Sequence, residues 1–191
     1  GKSLVDRLQE WMRQGGTLIT LGESSRWATR DNVGLLATHA ERRGGRDEGT
    51  PAPKEPTPDQ PIDYLGAIAP ADEAPEAVPG AILRAILDTH HWLAAGVDRE
   101  IGVFADGSRV LSPITLDHGE NVGHYADVDS LVMSGVVWDE AQPQLANKAW
   151  LIYQTTGSGQ LVAFAEDPNY RAYTEASMLL FMNAVILGPG R

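Results

Sequence analysis

The chain has 191 residues, with 15 Lys and Arg against 26 Asp and Glu for a net charge of −11, and it contains no cysteine. That length can bury one sizeable core and suggests a single domain over residues 1–191. The acidic balance argues against nucleic acid and anionic membrane surfaces as partners, and the absence of thiols excludes disulfides, thiolate metal sites and cysteine nucleophiles.

Leu4, Leu8, Trp11 and Met12 recur at helical spacing, and Gly15-Gly16 closes that helix before Thr17–Leu21, a short run suited to a buried strand. Glu23–Ala28 reads as a second helix after Gly22, and residues 32–40 as another short one. Between Arg42 and Pro79, recurrent prolines leave little room for regular structure, so residues 44–61 read as a mobile loop inside the domain. The basic run Arg42-Arg43-Gly44-Gly45-Arg46 meets Asp47 and Glu48 at once and reads as solvated. Residues 81–87 are apolar and short, so periodicity leaves strand and helix both open. Asp106-Gly107, between two β-rich runs, has the composition of a two-residue hairpin turn. Residues 122–126 read as a strand, 130–135 as a short turn or helix, and 141–146 as a connecting helix. Residues 150–153 and 161–165 then form two strands joined across Gly157-Ser158-Gly159, a hairpin turn with neither the lysine nor the following helix of a phosphate loop. Pro168 stops the second strand, Thr174 precedes an apolar helix from Glu175, and Gly188-Pro189-Gly190 ends it. Alternating strands and helices suggest an α/β three-layer sandwich. No segment approaches the roughly 18 apolar residues of a membrane span, and the first residues lack a signal-peptide core.

Three phrases near the end, Gly157-Ser158-Gly159-Gln160-Leu161-Val162, Asp167-Pro168-Asn169-Tyr170-Arg171-Ala172 and Leu180-Phe181-Met182-Asn183-Ala184, carry a family pattern. Gln14-Gly15-Gly16 through Leu21-Gly22, Val78 to Leu83 and His91 to Gly96 precede them in the same order. Together they resemble the class I glutamine amidotransferase-like domain at the C-terminus of some bacterial carboxypeptidase A-like zinc peptidases. The resemblance implies a flavodoxin-like sheet in which residues 81–87 are a strand, with an N-terminal part of the domain missing. It also implies an accessory, non-catalytic role beside an upstream peptidase domain of the same protein, secreted or periplasmic. Zinc is then expected only in that peptidase domain, since no His-x-x-Glu occurs here and this chain needs no cofactor of its own. An incomplete domain leaves an edge or apolar face to cover, which makes a homodimer a further expectation.

Amidotransferases place a cysteine nucleophile on a strained strand-to-helix elbow, which corresponds here to Leu21-Gly22-Glu23-Ser24 and carries no thiol. Ser24 is the candidate replacement, with His91 or His118 as base, although a serine at a helix start is also the usual cap. His118, Glu120 and His124 form the densest polar cluster and are the candidate metal ligands; the alternative is an ordinary loop. Asp167, Asn169 and Arg171 cluster after a strand end, where open α/β sheets hold ligands, so a small-molecule sensor is a second alternative to a serine hydrolase. Their structural reading is Asn169 capping the next turn and Arg171 pairing with a carboxylate.

Overall fold

The first helix begins on a reciprocal cap: the Asp6 amide donates to Ser3 Oγ (3.1 Å) and the Ser3 amide donates to Asp6 Oδ2 (2.9 Å), so two otherwise orphan donors are satisfied. The computed structural model describes residues 3–49 and 73–190. In chain order the elements are α1 (Leu4–Arg13), β1 (Thr17–Leu21), α2 (Glu23–Ala28), the short pair β2 (Glu41–Arg42) and β3 (Arg46–Asp47), β4 (Val78–Leu87) and β5 (Glu100–Gly107). They continue with β6 (Glu120–Tyr125), β7 (Val132–Gly135), α3 (Gln142–Leu145), β8 (Ala149–Thr156), β9 (Gly159–Phe164) and α4 (Glu175–Leu187).

One mixed, mostly antiparallel sheet runs β1-β9-β8-β6-β4-β5, with β7 also on β4; β1 and β9 are its parallel pair. The chain is therefore an α/β protein. Every residue of β9 is buried, so both of its faces are covered. Phe164 meets Phe181 of α4 edge-on at 6.4 Å, which puts α4 over one face. Thr20, the register partner of Ala163, is bonded by Ser25 of α2, which puts α2 over the other. Gln160 ties the sheet to the end of α4, its Nε2 donating to Thr17 Oγ1 (3.0 Å) and Gly188 O (2.5 Å).

The first helix, the β8–β9 hairpin, the connecting helix and the last helix match the sequence reading, and residues 81–87, which periodicity left open, are a strand. Three local expectations are corrected. Residues 32–40 are not a helix: Gly34 has φ 56°, and buried Gln154 accepts from the Ala37 amide and donates to Leu35 O, doing for this backbone what helical bonds would do. Asp106-Gly107 turns no hairpin, because after it Leu111 leaves to bridge Ala40 and Ala149. Residues 132–135 form a strand on the edge of β4, after a single 3-10 turn at Val128–Ser130. The expected mobile loop lies from residue 50 outside the described residues, while its first part, 44–49, is ordered in the β2–β3 hairpin, which turns around Gly44 and Gly45, both at positive φ. Arg43 of the basic run pairs with Glu73 (2.7 Å) and with Glu76.

Gly159 fixes how α1 and β1 dock, since a Cβ there would lie 2.1 Å from Met12 O and 2.3 Å from Gly16 O, both backbone atoms. Gly159→Ala should lower stability by roughly 3 kcal/mol, about 10 °C in thermal unfolding, whereas Gly190→Ala, with nothing near its added Cβ, should be neutral. Equal melting temperatures for the two variants would show that this contact does not anchor the N-terminal segment.

Candidate functional site

The turn from β1 into α2 is sharp: Gly22 has φ 53° and ψ −120°, a combination that strains any residue with a side chain. Its amide donates to Phe164 O (3.0 Å), which locks the turn against the end of β9. Ser25 reinforces the lock, with Oγ contacts to Thr20 Oγ1 (3.0 Å) and Phe164 O (2.6 Å). Beside the turn is a cavity of about 300 Å³ that Gly22, Glu23, Asp106, Arg109, Glu166 and Asp167 help to line. Phe104 and Tyr170 complete it, their rings stacked at 3.8 Å and 3°.

Arg109 is the electrostatic centre of this cavity. Its Nη2 donates to Asp106 O (2.8 Å), Asp106 Oδ1 (2.6 Å) and the Glu166 carboxylate, while Nη1 reaches Glu23 at 3.4 Å. Its Nε is buried without a hydrogen-bond partner, 3.8 Å from where a Cβ on Gly22 would stand. Burial works against the Arg109 charge, but Glu166 and Asp106 outweigh it and hold the guanidinium above its ordinary value. Glu166 is only 3% exposed, and burial pushes its carboxyl up to about 8; one guanidinium shared with Asp106 offsets that only in part. Nearby Tyr125 has a buried hydroxyl with no partner, held well above its usual value by burial and then by the Glu166 charge.

The sequence-predicted residues disperse over this frame. Asp167 lines the cavity and accepts from the Asn169 amide (2.9 Å). The Asn169 side chain makes no cap bond to the following 3-10 turn, which corrects that expectation. Arg171 also departs from its expected carboxylate pairing: it has φ 47°, is exposed, and lies over the Tyr170 ring at 5.3 Å. The last helix is held instead by Ser177 Oγ donating to Pro168 O (2.6 Å) and by Asn183 donating to Leu93 O and Ala95 O. Ser24 spends its hydroxyl inside its own turn, donating to Leu21 O and accepting from the Leu21 amide, each at 2.8 Å. His91 packs on Tyr153, with ring centroids 4.9 Å apart. His118 contacts Thr115 Oγ1 (3.0 Å) and Asp117, while His124 is bonded to Tyr125 O and lines a different groove. Glu120 lies with His91 beside another cavity, and no group of three His, Asp or Glu converges for a metal among the described residues.

A serine–histidine contact that sequence reading missed lies elsewhere. Ser112 Oγ is 2.8 Å from His39 Nε2 and is also bonded to Glu41, itself paired with Lys148 (2.7 Å). The Ser112 hydroxyl donates to the Glu41 carboxylate, so its single proton is not directed at His39. Ser112 and Glu41 are buried, and the group sits beside the bridge between Ala40 and Leu111.

No family model matches the chain, and no curated protein matches it. Among solved structures, the chain is similar to two cytoplasmic proteins of Salmonella typhimurium. One aligns with TM-score 0.51 at 11% identity over 96% of this chain and 59% of its own; the other, from strain LT2, aligns with TM-score 0.50 at 9% identity over 98% and 61%. A β-galactosidase from Bacillus circulans sp. alkalophilus aligns at 0.45 with 15% identity over 97% of this chain and 20% of its own. The chain thus spans about three fifths of the length of the two Salmonella proteins, and at these identities the likeness concerns the fold alone.

The raised Glu166 carboxyl has a definite pH signature. Below about 4.5 it is protonated in both folded and unfolded chains; as pH rises towards 8 only the unfolded chain ionises, and the native state loses stability. Relative to Glu166→Gln, the wild type should lose about 5 °C or more in melting temperature between pH 5 and pH 9. A constant difference across that range would mean that Glu166 is ionised throughout.

Proposed function

We propose that this chain is a non-catalytic, class I glutamine amidotransferase-like domain whose work is binding or scaffolding, an accessory to a bacterial zinc metallocarboxypeptidase-like protein. The observation that carries the non-catalytic reading is Gly22. The strand-to-helix turn, the positive φ and the flanking cavity favour an amidotransferase-like elbow, and the residue at its apex has no side chain with which to attack. The parallel β1–β9 pair and helices on both faces of β9 support the flavodoxin-like assignment, which rests on this half because the remaining strands pair antiparallel. The peptidase association rests on the resemblance of the sequence phrases, with zinc and the upstream domain as the partner's contribution. The Ser24 hydroxyl is taken up by the Leu21 backbone, and Ser24 is not the cap expected from the sequence, since the N-cap of α2 is Gly22 with no side-chain cap bond.

The reading is tested by assaying the purified chain on glutamine, nitrophenyl esters and peptide anilides. The expected result is no turnover above buffer for the wild type and for Ser24→Ala alike. Turnover that disappears in Ser24→Ala would replace the accessory reading with a serine hydrolase.

A further inference from the structure

The last helix, α4, has 13 residues, of which only Glu175 is charged. Its two neutral polar residues both turn inward: Ser177 Oγ donates to Pro168 O (2.6 Å), and Asn183 Nδ2 donates to Leu93 O (2.8 Å) and Ala95 O (2.9 Å). A helix that is apolar on every side is ordinarily covered on every side. Here Leu180 and Ala184 are buried and Phe181 meets Phe164, yet Leu179, Met182, Val185 and Ile186 remain 40–63% exposed. Their spacing is that of a helix-pairing seam, since Leu179, Met182 and Ile186 follow one another at three and then four positions, with Val185 beside them.

We infer that this stripe is the interface of a symmetric dimer, in which α4 of one copy lies antiparallel against α4 of a second copy across a two-fold axis at Met182. The stripe complements itself. With Met182 on the axis, Leu179 falls opposite Val185 and Met178 opposite Ile186, so each position on the seam meets an apolar one. The charge favours a second copy here above other surfaces: a chain of net charge −11 repels its own copies, but residues 176–190 carry no charge. The antiparallel arrangement also sets the two Glu175 carboxylates about 20 Å apart, beyond the screening length. The exposed side chains amount to roughly 400 Å² per copy, so two copies bury on the order of 800 Å² or more, which is the size of a weak, reversible contact. A bilayer is the poorer occupant, because interfacial helices flank their apolar face with Lys and Arg, and α4 has neither. The dimer is independent of the Gly22 elbow and of the accessory role proposed above.

Sedimentation velocity of the whole chain between about 1 and 300 µM should show a monomer–dimer equilibrium with a Kd of about 10–100 µM. Met182→Glu and Ile186→Glu, both at exposed positions, should each leave a folded chain that stays monomeric over that range. Leu116→Glu, at an apolar side chain 88% exposed outside α4, should dimerise like the wild type. Because the chain has no cysteine, Met182→Cys carries a single thiol and should oxidise to a disulfide-linked dimer, whereas Glu175→Cys, far from its mate, should not. A monomer at every concentration would assign the face to a different partner and overturn the proposal. So would a dimer that persists in Met182→Glu, one that dissociates equally in Leu116→Glu, or cross-linking through Glu175→Cys in preference to Met182→Cys.

Discussion

A strand buried on both faces must be covered twice, and β9 imposes that demand on everything around it. One face needs Phe181 and the rest of α4; the other needs α2 and the irregular segment that follows it. Neighbouring β1 and β8 satisfy its backbone, and bare Gly159 lets the turn after α1 come close enough for β1 to reach its register. The Gly22 elbow is a product of the same arrangement, because its amide is bonded to the last carbonyl of β9.

The polar cavity lies where this covering stops. Immediately beyond the apolar run of β9 come Glu166, still buried, and Asp167, exposed. Burying a carboxylate is costly, and Arg109 meets the cost only partly because Asp106 and Glu23 compete for the same guanidinium. A raised carboxyl, an unpartnered Nε and an unpartnered tyrosine hydroxyl are what that shortage leaves. The electrostatics thus belong to a pocket assembled around one overcommitted cation, beside the Gly22 turn.

Much of this fold was legible in the sequence wherever a pattern is local. The spacing of α1, the Gly157-Ser158 turn and the apolar run of α4 each specify an element from neighbouring residues alone. The misreadings fall where distant groups decide. Within residues 32–40, Leu35 O and the Ala37 amide take their partner from Gln154, more than a hundred positions away, and the segment is irregular. Asp106-Gly107 has hairpin chemistry, but the next residues are claimed by Ala40 and Ala149. The same distinction governs the site. Gly22 and Asp167 were visible as a strand-end elbow and a strand-end acid, whereas Arg109 and Glu166, 57 positions apart, meet only through the order of the sheet. A usable signal was Glu166 itself, a charged residue directly continuing an apolar strand.

The parallel pairing of β1 with β9 also has a consequence for the time course of folding. Thr17 finds Gln160 across 143 positions of chain, and both edges of that pairing are needed before Gly159 can receive the α1 turn. Long-range parallel contacts are slow to close because loop entropy is lost before any contact repays it. During synthesis α1 and β1 emerge well before the β8–β9 hairpin and reach their register late, once that hairpin has left the ribosome. For most of that interval β1 has only α2 beside it and lacks its pairing strand, which leaves its backbone edge open.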